Sequence, residues 1–279
     1  MTLVVAALSS APVRAQNAAW AIWVMKSDGT QPRMVVQVDG CKAHTGPRWS
    51  HDGQRIAFAA TPESRSASSV YIVDVDGRNL RRVGEHMRPD WSPDDKQLAF
   101  ETYVPGDLPQ ITVRNLDSDV TTQIARGYAP RWSPDGSHLA VTDRTNARVI
   151  DLVSGDERML LTRSPVDRMY YGNAWSPDGK QLAIVLRPDP RKHRQLLLVS
   201  ADGEEQGLRL RLENEMSGTM SFSHDGGKLL FDNHYLVHIV DVAGDAKPVK
   251  VSGQIGASLD PDWSPDGEWI VFASSRPSK

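Results

Sequence analysis

Charged side chains recur at one place in a repeated pattern, directly before a tryptophan. Four residues occupy this position, namely Arg48, Asp90, Arg131 and Asp262. Other polar residues stand a few positions upstream of the tryptophans; they are His44, His86, Arg88, Tyr128, Arg168, Tyr170, Tyr171 and Asp260. If the fold gathers these groups, they could hold a polar ligand or a peptide through ion pairs and hydrogen bonds. They could equally satisfy one another between neighbouring elements, with the tyrosines serving as packing.

Catalysis is the alternative use of the same residues. His44 and His86 are the histidines placed to act as acid–base groups, with Tyr128 and Tyr170 beside them. This alternative describes a lyase or hydrolase that acts on a polar small molecule. Two histidines are too few to predict a metal site, and we predict no cofactor. The sequence has no Gly-x-Ser-x-Gly elbow, phosphate-binding loop or His-Glu-x-x-His motif.

Six copies of one hairpin motif must position these residues. In Ser133-Pro134-Asp135-Gly136, serine stands first, proline second and glycine fourth, which fits a type I turn. An aromatic residue precedes each turn and a short apolar run follows it, as in two paired strands. The six aromatic residues are Trp49, Trp91, Trp132, Trp175, Phe222 and Trp263. Their spacing is 41 to 47 residues, which is typical of propeller blades.

A second, outer hairpin follows each aromatic hairpin, for example residues 70–83 around the turn Asp76-Gly77. The chain begins with an outer hairpin, 20–38, and ends with an inner one, 261–274. Each would leave an unpaired strand edge alone, and pairing them removes both edges. We therefore predict an all-β, six-bladed β-propeller with four antiparallel strands per blade. A clasp of two N-terminal and two C-terminal strands closes this single domain of residues 19–275.

Residues 1–18 precede the repeats. They contain a short apolar run followed by Val13-Arg14-Ala15, which resembles a secretory signal and its cleavage site. No lysine or arginine precedes the apolar run. We predict a signal peptide or a disordered N-terminus here. The first implies a periplasmic or secreted protein, and the second leaves a cytoplasmic one.

Bulk composition restricts the partners. The protein has 32 Lys and Arg against 35 Asp and Glu, a formal net charge of −3, so nothing indicates a nucleic-acid partner. No apolar stretch approaches the roughly 18 residues of a membrane-spanning helix. Cys41 is the single cysteine, so an intrachain disulfide is excluded.

The repeats resemble the WD40-like (PD40) repeats of the TolB-type six-bladed propellers. The resemblance covers Trp20 to Ser274 and rests on the Pro-x-Trp-Ser-Pro-Asp-Gly hairpins and the outer x-x-Asp-Gly turns. The departures from the pattern are Asp95 for Gly, His51 and His224 for Pro, and Phe222 for Trp. The resemblance implies a non-catalytic module that binds proteins or peptides in the cell envelope. TolB carries a further N-terminal α/β domain, for which we expect no counterpart here.

The up-and-down topology assigns the two kinds of connection to opposite faces. Both tight turns must lie on one face, and the longer loops, such as 61–69, 103–109, 163–172 and 187–194, on the other. Variable loops on a rigid scaffold commonly carry binding. We therefore expect the partner at the loop-bearing face, with the twelve polar residues named above around the channel mouth. The period of the tryptophans favours packing between blades over stacking on a sugar.

Overall fold

The computed structural model describes residues 20–275, except 65–66, 144, 163–167, 188–193, 204, 213–218, 244–246 and 255. The predicted signal peptide or disordered segment, 1–18, lies outside the described residues. Across the described ranges every regular element is a β-strand. No helix there meets the length and apolarity needed to cross a membrane.

The described strands form six antiparallel sheets of four strands, each of which is one blade. The chain opens with β1 (Ala21–Lys26) and β2 (Arg33–Val36). Blade 1 contains β3 (Cys41–Trp49), β4 (Arg55–Pro62), β5 (Ser69–Asp74) and β6 (Arg81–Gly84). Blade 2 contains β7 (Met87–Trp91), β8 (Gln97–Thr102), β9 (Gln110–Asn115) and β10 (Thr121–Arg126). Blade 3 contains β11 (Tyr128–Trp132), β12 (His138–Thr142), β13 (Asn146–Asp151) and β14 (Glu157–Thr162).

Blade 4 contains β15 (Arg168–Trp175), β16 (Gln181–Arg187), β17 (Arg194–Ser200) and β18 (Glu205–Leu212). Blade 5 contains β19 (Met220–Phe222), β20 (Lys228–Asn233), β21 (Leu236–Asp241) and β22 (Val249–Lys250). Blade 6 joins β23 (Ser258–Trp263) and β24 (Trp269–Ser274) to β1 and β2. The predicted six blades of four strands are confirmed.

The clasp between the two termini is confirmed strand by strand. In blade 6 the strand order is β2-β1-β24-β23, with β1 antiparallel to β24. Their register runs without interruption from Ala21 opposite Ser274 to Lys26 opposite Trp269. The innermost strands contact one another in blade order, and β23 contacts β3. The ring is therefore closed by backbone hydrogen bonds between its N-terminal and C-terminal strands.

The tight turns follow from their sequence. In blade 3 the Gly136 N–H donates to the Ser133 carbonyl at 2.9 Å, which is the bond of a type I turn. The Ser133 hydroxyl donates to Asp135 Oδ1 at 2.5 Å and accepts the His138 N–H at 2.9 Å. Gly136 has φ +74°, where glycine avoids the strain of a side chain. Serine, aspartate and glycine thus hold this hairpin closed, and in blade 2 the Asp95 N–H makes the bond of the glycine, to the Ser92 carbonyl.

The innermost strands are longer than the sequence predicts. Several residues expected in loops lie within strands, including His44 in β3, Tyr128 in β11 and Asp260 in β23. The reason is a β-bulge three positions before the aromatic residue, where Arg88 (φ +49°) and its counterparts in other blades adopt left-handed backbone. The register of strand pairing shifts at the bulge, and the two strands pair again beyond it.

The core lies between neighbouring blades. Trp49 of blade 1 packs in one cluster with Ile22 and Val271 of blade 6. Trp132 of blade 3 packs with Ala99 and other residues of blade 2. The tryptophans therefore bury their rings between blades, as their period predicts.

Candidate functional site

A cavity of about 440 Å³ occupies the channel at the end that carries the Ser-Pro-Asp-Gly turns. We call it the turn-end cavity. Its walls are aromatic and comprise Trp49, Trp91, Trp132, Trp175, Phe222 and Trp263. His51, His224 and turn prolines contribute to its rim. Its floor holds the charged residues that precede the tryptophans, namely Arg48, Asp90, Arg131 and Asp262.

These four floor residues form one charged arc. Arg48 lies between two carboxylates, with Nη1 3.5 Å from Asp262 Oδ1 and Nε 3.9 Å from Asp90 Oδ1. Arg131 Nη1 lies 3.5 Å from the same Asp90 oxygen. The charges alternate through blades 6, 1, 2 and 3. The structure thus brings these four residues together, and they satisfy one another in part.

The carboxylates of the arc also tie blades together. Asp262 Oδ2 accepts the backbone N–H of Trp49 in the next blade at 3.0 Å, and Asp90 Oδ2 accepts that of Trp132 at 2.8 Å. Burial raises the pKa of Asp90, against the opposing effect of Arg131 and Arg48. Burial likewise lowers the pKa of Arg131 to about 10. Each aspartate thus has a structural hydrogen bond besides its ion pairs.

Where arginine precedes the tryptophan of one blade, its backbone carbonyl accepts a hydrogen bond from the tryptophan side chain of the next blade. The indole N–H of Trp91 donates to the Arg48 carbonyl at 3.2 Å, and that of Trp175 donates to the Arg131 carbonyl at 3.2 Å. In other blades the residue at this position is aspartate or serine. In the blade that follows each of these, the indole nitrogen (of Trp49, Trp132 or Trp263) is buried without a partner among the described residues. The bonding of the indole N–H thus differs between blades together with the residue at the arc position of the preceding blade.

His44 and His86 are held within the propeller. His44 is fully buried; its Nε2 accepts the Val38 N–H at 2.9 Å and its ring stacks on Phe58. His86 stacks on Phe100 with ring centroids 3.8 Å apart, and its Nδ1 lies 3.0 Å from the Thr102 hydroxyl. Burial lowers the pKa of each histidine to about 4. Both are therefore neutral at pH 7, and neither lines the turn-end cavity.

Arg88 and Asp260 lie beyond the arc, toward the loop-bearing face. Arg88 Nη1 donates to the fully buried Glu101 at 2.8 Å. Asp260 accepts the Gly46 N–H at 2.9 Å and the Thr219 hydroxyl at 2.8 Å. Both side chains thus support the inner strands of their own and neighbouring blades.

The remaining predicted residues are tyrosines and Arg168. Tyr128 is partly buried, and its carbonyl accepts the Thr142 hydroxyl at 3.4 Å. The backbone of Arg168, Tyr170 and Tyr171 belongs to β15, but their side chains lie outside the described part of the structure. Of the nine predicted residues whose side chains the structure describes, four lie together at one cavity.

Sequence reasoning overlooked two kinds of residue. Glu101 and Asp232 are fully buried carboxylates that each follow a phenylalanine in the second strand of a blade. They accept the N–H groups of Ala129 and Asp260 in the following blades. A lone acid in an apolar strand was the available signal. The second kind is the small residue at the arc position of blades 4 and 5, described below.

No cluster of three or more His, Cys, Asp or Glu side chains is arranged to hold a metal among the described residues. No protein-family model matches the sequence. Among solved structures, TolB from Acinetobacter baumannii superimposes with a TM-score of 0.71, covering 89% of this chain and 67% of that one at 18% identity. The protein has a TolB-like propeller fold. An oligogalacturonate lyase from Vibrio parahaemolyticus superimposes on this chain less closely. Its TM-score is 0.53, at 11% identity, and the match covers 92% of this chain and 97% of the lyase.

Curated proteins point in two directions. The TolB-like propeller is 35% identical to the Tol-Pal system protein TolB of Alcanivorax borkumensis over 77 residues, 25% of this chain and 18% of that protein. It is 27% identical to the uncharacterized peptidase YuxL of Bacillus subtilis over 83% of this chain and 29% of the peptidase. It is 21% identical to dipeptidyl-peptidase 5 of Porphyromonas endodontalis over 97% of this chain and 35% of that enzyme. The TolB-like propeller spans about a third or less of these relatives.

Proposed function

We propose that the TolB-like propeller is a non-catalytic interaction module that holds a segment of a partner protein in the turn-end cavity. The observation that carries the proposal is the cavity itself, which is lined by six aromatic side chains, two buried arginines and two aspartates. Aromatic and arginine side chains contribute most to many protein–protein interfaces. The volume of about 440 Å³ lies within the range of ligand pockets, about 300–1,000 Å³.

We favour the turn end over the loop-bearing face that the sequence indicates. At the loop end, the charged and imidazole groups of Arg88, His86 and Asp260 are engaged within the propeller. The turn-end cavity, in contrast, presents its arc to an open space of defined volume. Tyr103, which is 66% exposed, is the loop-face residue best suited to test the other choice.

Site-specific photocrosslinking tests the proposal. A crosslinker replacing His224 at the rim of the cavity should capture a partner from the native envelope, and the additional change Arg131→Glu should abolish capture. Crosslinkers at Tyr103, on the loop-bearing face, and at Val153, which is 94% exposed in an outer turn, serve as matched controls. Capture at Tyr103 alone would place the partner on the loop-bearing face and contradict the cavity.

A second candidate is a propeller that works with a peptidase or lyase activity. It is favoured by the two peptidases that align with most of this sequence. Turnover of dipeptide p-nitroanilides by the purified protein, lost in His86→Ala but kept in His138→Ala, would support it. The interaction-module proposal predicts no turnover by the wild-type protein.

We further propose that the protein is exported. The support is the apolar run before Val13-Arg14-Ala15, a pattern typical of secretory signals. N-terminal sequencing of the protein recovered from the envelope should show cleavage within this segment. Leu8→Arg, which interrupts the apolar run, should retain the uncleaved protein in the cytoplasm. An uncleaved wild-type protein in the cytoplasm would contradict export.

A further inference from the structure

Arg131 uses little of its hydrogen-bonding capacity although it is buried. Its side chain is 10% exposed and lines the turn-end cavity. Among the described residues its side chain makes one hydrogen bond, from Nη1 to the Pro130 carbonyl at 3.0 Å. The contact with Asp90 is a longer ion pair at 3.5 Å. Since a guanidinium carries five N–H donors, Nε and Nη2 of Arg131 are left to meet the cavity.

Arg48 also keeps an unpartnered donor group, although its Nη1 donates to the Pro47 and Pro261 carbonyls at 3.4 and 3.5 Å. Its Nη2 is buried and has no hydrogen-bond partner within the described ranges. The carboxylates of the arc do not remove the surplus, because Oδ2 of Asp90 and Oδ2 of Asp262 accept backbone N–H groups of the next blades. Buried donors without acceptors cost free energy, and the donors of Arg131 beside the cavity are those that a ligand with acceptor oxygens can reach.

The arc leaves space beside Arg131. Blade 3 carries Arg131, and blades 4 and 5 place Ala174 and Ser221 at the corresponding position before the aromatic residue. These small side chains, with Met220, line the same cavity. The charges run through blades 6, 1, 2 and 3 and stop there, so one side of Arg131 faces no charged residue of the arc.

We propose that the turn-end cavity binds a carboxylate group of the partner segment, with the Arg131 guanidinium as its main contact. The carboxylate is either the C-terminus of the partner polypeptide or the side-chain group of an Asp or Glu. This inference rests on the proposed function and names the chemistry of its ligand. Two carboxylate oxygens match the planar fork of a guanidinium. The floor has two arginines and two aspartates and hence no formal net charge, which suits one negative charge better than the two of a phosphate.

Calorimetry with two pairs of peptides tests the inference. The first pair is N-acetylated Gly-Gly-Phe with a free C-terminal carboxylate and with a carboxamide. The second pair is N-acetylated, C-terminally amidated Gly-Asp-Phe and Gly-Asn-Phe, in which the aspartate supplies the carboxylate. In at least one pair, the acid should bind the wild-type protein about tenfold or more tightly than its neutral match.

The variant Arg131→Gln should remove that preference. Arg148→Gln is the matched control, since Arg148 is also buried in blade 3 but pairs with Asp143 and Glu157 and does not line the cavity. If Arg131→Gln does not fold, the wild-type protein still decides, because acetate should compete with the acidic peptide whereas acetamide should not. The pair that shows the preference distinguishes recognition of a C-terminus from recognition of an acidic residue.

Equal binding of acid and neutral peptides in both pairs, or no binding of either acid, would overturn the inference. Crosslinking at His224 reports separately on the proposed function. Capture of a partner without carboxylate preference would keep the module and refute the carboxylate. Carboxylate preference without any captured partner would keep the site and refute the module.

Discussion

The carboxylate of Asp95 in blade 2 accepts the backbone N–H groups of His51 and Asp52 in blade 1, both at 2.7 Å. At four other interfaces the residue corresponding to Asp95 is a glycine near the proline of the preceding turn, as with Gly136 and Pro93. Proline has no N–H to satisfy, whereas histidine does. The two departures from the repeat, His51 and Asp95, therefore compensate each other across one blade interface.

Asp95→Asn should lower the free energy of unfolding by about 1–2 kcal/mol, because an amide cannot accept both N–H groups. Asparagine tolerates the left-handed backbone at φ +57° as aspartate does, so the change isolates the hydrogen bonds. Asp119→Asn is the control, at φ +60° with a 70% exposed side chain. Urea denaturation giving equal losses for the two variants would refute the role assigned to Asp95.

Trp91→Phe should destabilise the protein by about 1–2 kcal/mol more than Trp132→Phe. Both changes remove the same volume from a buried site. Only Trp91→Phe removes an indole donor that has an acceptor, the Arg48 carbonyl at 3.2 Å, whereas the Trp132 nitrogen has no partner among the described residues. Trp91 also lies under the Arg55 guanidinium, 4.7 Å from the ring centroid, and phenylalanine is a weaker cation–π partner than tryptophan, so this contact adds to the loss. Chemical denaturation of the two variants side by side is the measurement, and a larger loss in Trp132→Phe would contradict it.

Gly29→Ala should destabilise the clasp more than Gly155→Ala destabilises blade 3. Both glycines have strongly positive φ, +87° and +79°, so both variants carry about 1–2 kcal/mol of backbone strain. A Cβ at Gly29 would also lie 2.2 Å from the Ser252 carbonyl oxygen, whereas the space around Gly155 is open. We expect the excess loss for Gly29→Ala to exceed about 2 kcal/mol. Thermal melts compare the two, and equal shifts in Tm would show that the turn moves freely away from Ser252.

Stability should fall as the pH drops through the range set by His44. Burial lowers the pKa of His44 to about 4, while the unfolded protein titrates near 6.5. The unfolded state therefore binds more protons between these values, and the stability that is complete above about pH 6.5 is lost as the pH falls toward 4. The full loss from His44 is about 3 kcal/mol, and His86 adds to it in the same range.

Urea midpoints measured across this pH range check the effect. His44→Gln should be less stable at neutral pH but should show a flatter pH dependence. His224→Gln, at an exposed site, should follow the wild-type curve. Parallel curves for wild type and His44→Gln would assign the pH dependence to other groups.

Much of the architecture was predictable from local chemistry. The Ser133–Gly136 turn and its copies define hairpins, and their period defines blades. The β-bulge was not predictable, because Arg88 and Ala129 adopt left-handed backbone without being glycines. Consequently the sequence indicated loops where the inner strands continue, and it assigned His44 and Asp260 to an open mouth when both are engaged within the propeller.

The sequence repeat alone determined six blades, four strands in each and closure between the two termini. This was possible because turn geometry and the pairing of strand edges depend on residues within each repeat. Only the tertiary structure decided that Arg48, Asp90, Arg131 and Asp262 form an arc at the turn end, beside the small residues of blades 4 and 5. Those residues are at least about forty positions apart in the sequence, and their distances depend on how neighbouring blades pack. The arrangement of the blades around the channel, rather than any single motif, places Arg131 next to the open side of the cavity at blades 4 and 5.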